Sequence, residues 1–234
     1  MKTFLQVMAV VISVFLLSGC FTYQHVKLAS NSALTNQSEF KLENDSVRIV
    51  YSFSGLCGPI HMEIFNKLNK PFYVDWRKSA LIRNGESVTL WKDESRVSAT
   101  TTEYKVYPED DLINSVSKTN STVVRKDNIT YIPPQSKVAV NSFIVRSALF
   151  NVPEQAGEKV LFYTEGGKRK GVKYSFSKED SPLNFRIFLS FSMDGNVNSS
   201  FHTDNTFWVQ EYLNSHTAPR LMGHYPSNQF YLMK

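Results

Sequence analysis

The segment FRIFLSFSM, residues 185–193, decides the fold because its apolar and polar side chains alternate more cleanly than those of any other segment. Its apolar face comprises Phe185, Ile187, Leu189, Phe191 and Met193. Strict alternation has the period of a β-strand, on which successive side chains point to opposite faces of a sheet. A face of this length needs a second layer to cover it. The segment therefore predicts one strand of a β-sandwich.

The same alternation recurs in short segments before this one. Residues 47–53, 60–65 and 72–76 each place apolar side chains on one face, and turn-forming residues separate the three segments. The pair Asn84-Gly85 predicts a tight hairpin, because both residues accept positive φ. Trp76 shares its face with Phe72 and Val74. We predict that Trp76 is buried and packs across the sandwich against the 185–193 strand. The alternative is an exposed ring that binds sugar beside Asp75.

Further strands are predicted on both sides of the 185–193 segment, at 129–132, 137–145, 159–163, 172–176, 206–213 and 229–233. In the 206–213 segment, Trp208 and Tyr212 are expected on one face, with Phe207 and Val209 on the other. The sequence shows no amphipathic helix of three turns. These patterns predict an all-β fold, an antiparallel sandwich of about ten short strands that forms one domain over residues 46–234.

Residues 95–128 interrupt this pattern with many Ser, Thr, Asn, Asp and Lys residues. Loops of this length are usually functional or disordered, so the stretch predicts a long polar insertion. The acidic segment PEDD, residues 108–111, predicts the start of one short helix, because acids stabilise helix N-termini.

The N-terminus has the layout of a secretory signal peptide. Lys2 precedes an apolar run over residues 4–17, which is shorter than the ~20 residues that span a bilayer. The run ends in Leu17-Ser18-Gly19-Cys20, which resembles the lipobox of bacterial lipoproteins. The resemblance implies cleavage after residue 19 and attachment of diacylglycerol and fatty acyl (palmitate-type) chains to Cys20. The alternative is an uncleaved N-terminal anchor.

Residues 20–45 are predicted to form a lipid-anchored tether. They are rich in polar residues and show no sustained period, and a flexible chain of this length has a root-mean-square span of about 25–30 Å. In lipoproteins, an Asp after the acylated cysteine often marks retention in the inner membrane. Here Phe21 follows Cys20, which favours the outer membrane of a Gram-negative-type envelope.

The first half of the predicted domain also resembles a group of uncharacterised envelope lipoproteins with an immunoglobulin-like β-sandwich. The residues that carry the resemblance are Tyr51-Ser52-Phe53, the segment IFNKLNKPFYVDW at 64–76, Ser79, and IPPQS at 132–136. The resemblance implies an immunoglobulin-like fold and an envelope location. It implies no active site.

Composition and cysteine content set further limits. The formal charge of +5, lowered by one if Lys2 leaves with the signal peptide, is mild for 234 residues and predicts no nucleic-acid partner. If Cys20 carries lipid, Cys57 has no partner within the chain. We expect Cys57 to fill a glycine-flanked turn rather than to act as a reactive thiol.

No catalytic, metal-binding or cofactor-binding motif is evident, so no catalytic residue, metal or cofactor is predicted. His202-Thr203-Asp204 pairs a histidine with a carboxylate, but a metal site needs three or four ligands. The carboxylates Glu63, Asp75, Asp194 and Glu211 lie in or beside strands, and glycoside cleavage needs two of them about 5–10 Å apart.

One basic cluster, Lys168-Arg169-Lys170 with Lys173, is predicted at a hairpin tip formed by residues 164–171. It is the candidate surface contact. The cluster would either contact anionic lipid or lipopolysaccharide, or form a solvated turn without a partner.

Together these features predict a lipid-anchored, non-enzymatic binding or scaffolding module that contacts another envelope protein or a glycan. The alternative is an envelope hydrolase acting on glycan or peptidoglycan.

Overall fold

A computed structural model of the chain describes residues 21–91, 95–105, 115–125, 128–153, 156–193, 200–223 and 225–234. Within these ranges the chain forms sixteen β-strands and no α-helix, and Pro219–Leu221 forms a short 3₁₀ turn. The predicted all-β, antiparallel fold is confirmed, although about ten strands was too low a number. The helix start predicted at residues 108–111 and the carboxylate residue Asp194 lie outside the described residues.

In chain order the strands are β1 (Tyr23–Ser30), β2 (Ala33–Leu34), β3 (Phe40–Glu43), β4 (Val47–Ser52), β5 (Pro59–Asn66), β6 (Phe72–Arg83), β7 (Glu86–Thr89), β8 (Ser95–Lys105), β9 (Ser115–Arg125), β10 (Ile129–Ile132), β11 (Lys137–Ile144), β12 (Glu158–Thr164), β13 (Gly167–Ser175), β14 (Asn184–Ser192), β15 (Ser200–Ser215) and β16 (Gln229–Met233).

The strands form two facing sheets and one separate ribbon. The larger sheet has nine strands, with β10-β6-β14-β15-β1-β16 in order, β7 beside β6, and the β12–β13 hairpin joined to β15 through β13. The smaller sheet has the order β11-β5-β4-β3-β2. The predicted insertion contains β8 and β9, which pair only with each other among the described strands.

An aromatic cluster joins the two sheets. Phe207 of β15 lies at its centre, with ring centroids 5.4 Å from Phe40, 5.2 Å from Tyr51 and 5.1 Å from Phe53 on the smaller sheet's side. Phe185 of β14 stacks on Phe207 at 5.2 Å. All five rings are almost fully buried. Aromatic burial of this extent dominates core energetics, so this cluster holds the sandwich together.

Trp76 is buried, as predicted, but its place in the sandwich differs from the prediction. Its exposed fraction is 4%, and Phe72 and Val74 on the same face are fully buried. However, β6 and β14 are hydrogen-bonded neighbours in one sheet. The prediction that they face each other from opposite sheets is wrong. Period-two alternation identifies a buried face but does not say which strand lies beside it.

A bulge in β15 changes the predicted faces of its second half. The register with β1 shifts between Lys27 and Leu28, so that Gln210 is the extra residue on β15. Val209 and Tyr212 are both fully buried, whereas strict alternation would place them on opposite faces. The predicted pairing of Tyr212 with Trp208 is therefore wrong, since Tyr212 joins Phe207 and Val209 instead.

The predicted tether over residues 20–45 is also wrong for its described part. Strand β1 lies inside the larger sheet, paired with β15 on one side and β16 on the other. Val26 and Leu28 are buried in the core. The polar residues Gln24 and His25 obscure the alternation, but both are buried and hydrogen-bonded. Only Phe21 and Thr22 therefore separate Cys20 from the folded body.

Two turns show how local sequence determines the connections. The hairpin between β6 and β7 is confirmed, with φ of 50° at Asn84 and 82° at Gly85. Asn66, at the end of β5, is fully buried. Its Nδ2 lies 2.9–3.1 Å from the carbonyl oxygens of Lys70, Ile132 and Pro133. One amide therefore connects the β5–β6 turn to the Pro133-Pro134 turn.

Candidate ligand-binding cavity

The core face of the larger sheet continues beyond the aromatic cluster at one end of the sandwich. Cross-strand partners point to the same face of a sheet. Tyr212 pairs with Tyr174, and both are buried. The next row on that face comprises Gln24, Asn214, Val172 and Lys159. Along the β12–β13 hairpin the face then continues through Leu161 opposite Lys170 and Tyr163 opposite Lys168.

The segment 146–152, here called the cover segment, packs over the core face of the larger sheet at this end of the sandwich. Gln24 holds it in place, because its Nε2 donates to the carbonyl of Phe150 at 2.9 Å and its Oε1 accepts from the amide of Phe150 at 2.7 Å. The ring of Phe150 stacks on Tyr212 at 5.6 Å, and the Arg146 guanidinium lies 4.7 Å from the Phe150 ring centre. The cover segment is thus fixed by a side chain of the sheet.

A cavity of about 810 Å³ lies between the cover segment and the sheet. Its volume falls in the range of small-molecule sites. The inner wall is formed by Phe150, Val152, Val172 and Tyr174, and Thr22 lies in the wall beside the N-terminal end of β1. The outer wall includes the side chains of Lys159 and Lys170. The buried end of the cavity thus carries aromatic and aliphatic side chains, and the exposed opening carries two lysines. Polar residues also line the cavity, namely Gln24, Asn151, Asn214, Ser215 and His216.

Tyr212, whose ring stacks with the lining residues Phe150 and Tyr174, is held neutral. Burial raises the pKa of Tyr212, and the nearby Tyr174 adds to the effect. The two rings stack at 4.7 Å. Among the described residues the hydroxyl of Tyr212 has no hydrogen-bond partner. This end of the cavity thus presents rings and aliphatic groups without ionised side chains.

The structure divides the basic cluster between two faces. The connection between β12 and β13 is only Glu165-Gly166, so Lys168, Arg169 and Lys170 lie on β13, and the longer 164–171 tip is wrong. Lys168 and Lys170 point to the cavity face, with Lys168 Nζ 5.4 Å from the Tyr163 ring centre. Arg169 points to the other face.

Two apolar side chains beside the basic ones are strongly exposed. Leu161 is 66% and Tyr163 is 76% exposed, the highest values among the large hydrophobic residues described. Both belong to β12, which pairs only with β13 in the described part of the chain. Phe21, just before β1, is 54% exposed, and its carbonyl lies 3.1 Å from Nδ1 of His216. Exposed apolar groups beside lysines form an amphipathic surface at the cavity opening.

The remaining candidate residues do not gather at the cavity. Asp204 is ion-paired with Arg186, and His202 stacks on Phe188 at 5.2 Å. Glu63 pairs with Lys137 at 2.7 Å and Glu211 with Lys173 at 3.0 Å. Asp75 accepts from the amides of Arg77 and Lys78 within its own strand. The structure thus brings none of these carboxylates into a shared cleft.

Cys57 lies in the turn that follows β4. It is partly buried and packs against the core, and its thiol is free. Its φ is 64° and that of Gly58 is 64°, while its amide donates to the carbonyl of Tyr231 at 2.8 Å. The residue serves to dock this turn on β16. Cys20 lies outside the described residues, so its acylation stays a prediction.

Sequence reasoning missed the cavity because its residues come from five separate segments. The polar composition around Gln24 predicts a tether, and the cover segment shows no hydrophobic period. The sequence predicts a strand at Val172 but a turn at Lys170. One signal was available: the polar Gln24 and Asn214 occupy positions that continue apolar faces. Polar residues at such positions indicate where the inward-facing side of a sheet extends beyond the hydrophobic core.

Among the described residues, no helix is long and apolar enough to cross a membrane. They also contain no group of three or more His, Cys, Asp or Glu side chains placed to hold a metal ion. Comparison of the chain with protein-family models, curated proteins and solved structures found no match. The fold and the cavity therefore define the structural class of this protein. It is an all-β antiparallel sandwich with a partly basic cavity at one end.

Proposed function

We propose that this protein is a lipid-anchored, non-enzymatic binding module of a bacterial cell envelope, attached through Cys20 to the outer membrane. Its ligand site is the cavity under the cover segment. The observation that carries the proposal is the position of Thr22, which lies in the cavity wall only two residues after Cys20. An anchor at Cys20 would hold the cavity opening at the membrane surface rather than 25–30 Å or so above it.

The immunoglobulin-like relationship and the envelope location are parts of this proposal. The signal-peptide layout of residues 1–19 and the lipobox-like ending support them. The hydrolase alternative has less support, because no carboxylate lines the described cavity and Glu63 and Glu211 are each paired with a lysine. A protein or glycan partner is compatible with the exposed Leu161 and Tyr163, which lie at the cavity opening.

Cell fractionation of Cys20→Ala tests the anchor. The variant should leave the membrane fraction or accumulate as a larger precursor, because neither lipid attachment nor the cleavage that follows it can occur. Cys57→Ser is the matched control, since it removes the other cysteine of the chain, and it should be processed and membrane-bound like the parent. If Cys20→Ala is cut and membrane-bound as the parent is, the lipoprotein assignment is wrong.

A further inference from the structure

We infer that the cavity binds an anionic phospholipid, with one acyl chain at the inner end and the phosphate between Lys159 and Lys170. This inference rests on the proposed function, and it narrows the ligand of the proposed module from a protein or glycan to a lipid.

The inner end suits an acyl chain. Phe150, Val172 and Tyr174 form its walls, and no ionised side chain lies among them. The ring of Tyr212 stacks with both Phe150 and Tyr174, so the part of the wall that these residues form is flat and aromatic. An acyl chain placed against Phe150, Val152 and Val172 would remove apolar surface from water, which is favourable.

The opening suits a phosphate. Lys159 and Lys170 line it, Lys168 follows on the same face, and no acidic side chain belongs to the described lining. Each basic residue near an anionic lipid surface contributes a favourable interaction. The exposed Leu161 and Tyr163 beside these lysines complete a surface that is apolar and basic together, as membrane-contacting surfaces are.

The position of the cavity close to the anchor makes the bilayer the source of the ligand. Thr22 lies in its wall, so an anchor at Cys20 places the opening at the bilayer. The acyl chains of Cys20 itself are a second conceivable occupant of the apolar end. They carry no phosphate, and the lysines of the opening therefore favour a phospholipid.

Photocrosslinking in native membranes tests the inference. The full chain is expressed in a Gram-negative host fed a diazirine-bearing fatty acid, which cells incorporate into phospholipids. After irradiation, mass spectrometry maps the crosslinked peptides. We expect crosslinks on residues 149–152 and 172, in adducts that retain a glycerophosphate group. Adducts that join these residues to the Cys20 peptide would show that the protein's own acyl chain fills the cavity, and would overturn the inference.

Two neighbouring variants separate cavity binding from general surface attraction. Lys170→Glu reverses a charge on the cavity face, and Arg169→Glu reverses one on the opposite face of the same strand. Both residues are exposed, so both variants should fold, which an unchanged melting temperature checks. We expect Lys170→Glu to lower the yield of cavity crosslinks about fivefold and Arg169→Glu to leave it unchanged.

Equal losses in both variants would contradict a specific site. Membrane-anchored protein without crosslinks in the cavity would overturn the inference and leave the proposed function intact. Protein recovered outside the membrane would overturn the proposed function, and a phospholipid adduct on that same protein would still support the cavity assignment.

Discussion

The indole Nε1 of Trp76 donates a hydrogen bond to Oγ1 of Thr130 at a distance of 2.7 Å. Thr130 lies on β10, the outer neighbour of β6, and the amide of Trp76 also donates to the carbonyl of Asn128 at 2.9 Å. The ring is 4% exposed, so its one polar atom is satisfied within the protein. Trp76 therefore fills the core and ties the edge strand to it, which leaves no ring face for a sugar.

Trp76→Ala should lower the free energy of unfolding by about 3–5 kcal/mol, because it removes a buried ring and leaves a cavity. This is a large part of the 5–15 kcal/mol or so that stabilises a typical domain. The measurement is chemical denaturation of parent and variant. Trp208→Ala, which removes a half-buried indole on the outer face of β15, is the control and should cost less. A near-normal stability of Trp76→Ala with lost retention on a glycan column would instead support sugar binding.

Asn66→Ala should destabilise the protein by about 1–3 kcal/mol, because the carbonyl oxygens of Ile132 and Pro133 lose a buried donor. Thermal unfolding monitored by circular dichroism measures the loss. Asn69→Ala, at an exposed position in the same turn, should change stability by less than about 0.5 kcal/mol. Equal effects of the two substitutions would contradict the role assigned to the Asn66 amide.

Gly171→Ala should displace the β12–β13 hairpin from β15. A Cβ at this position would lie 2.7 Å from Cδ1 of Leu213 and 2.8 Å from the carbonyl oxygen of Asn214. We expect a loss of about 1–3 kcal/mol and faster amide hydrogen exchange in β13. Gly166→Ala is the control, because the contact its Cβ meets is the mobile end of the Arg169 side chain. Unchanged exchange in the Gly171 variant would show that the hairpin packs differently.

The stability of the protein should fall as the pH drops below about 6.5, through His25. Burial lowers the pKa of this histidine from its usual 6.5, and its hydrogen bond to the Thr217 carbonyl only partly offsets that effect. The unfolded chain therefore takes up the proton first, so the contribution is complete above pH 6.5 and is lost at lower pH.

Urea denaturation between pH 5 and 8 measures this dependence. His25→Gln should remove the part of the slope that His25 causes. The same slope in the parent and in His25→Gln would exclude His25 as the titrating group.

Local patterns in the sequence were sufficient to predict the strands and their buried faces. They were not sufficient to predict which strands lie side by side in a sheet. The buried faces of β4, β5, β6 and β14 follow from alternation, because side-chain direction depends only on the strand itself. The positive φ at Asn84 and Gly85 follows from residue type. The placement of β6 beside β14 does not follow from residue type or alternation, because many strand pairings and registers would bury the same apolar face.

The errors occurred where polar residues occupy structured positions. Gln24 and His25 are buried because tertiary hydrogen bonds satisfy them, and no local signal predicts those partners. The bulge at Gln210 inserts one residue into β15 and thereby moves Tyr212 to the opposite face of the strand. The bulge is defined by the pairing of β15 with β1, which the sequence of β15 alone does not reveal. The cavity depends on both, because Gln24 fixes the cover segment and the bulge places Tyr212 and Asn214 on the cavity face. It could therefore not be derived from the sequence.

The most direct test of the account is the intact mass of the membrane-extracted protein, with its N-terminal peptide. We predict a chain that begins at Cys20 and carries a diacylglycerol and fatty acyl groups, which would place the cavity beside Thr22 at the bilayer. A membrane-bound chain that begins at Met1, or at Cys20 without lipid, would contradict it.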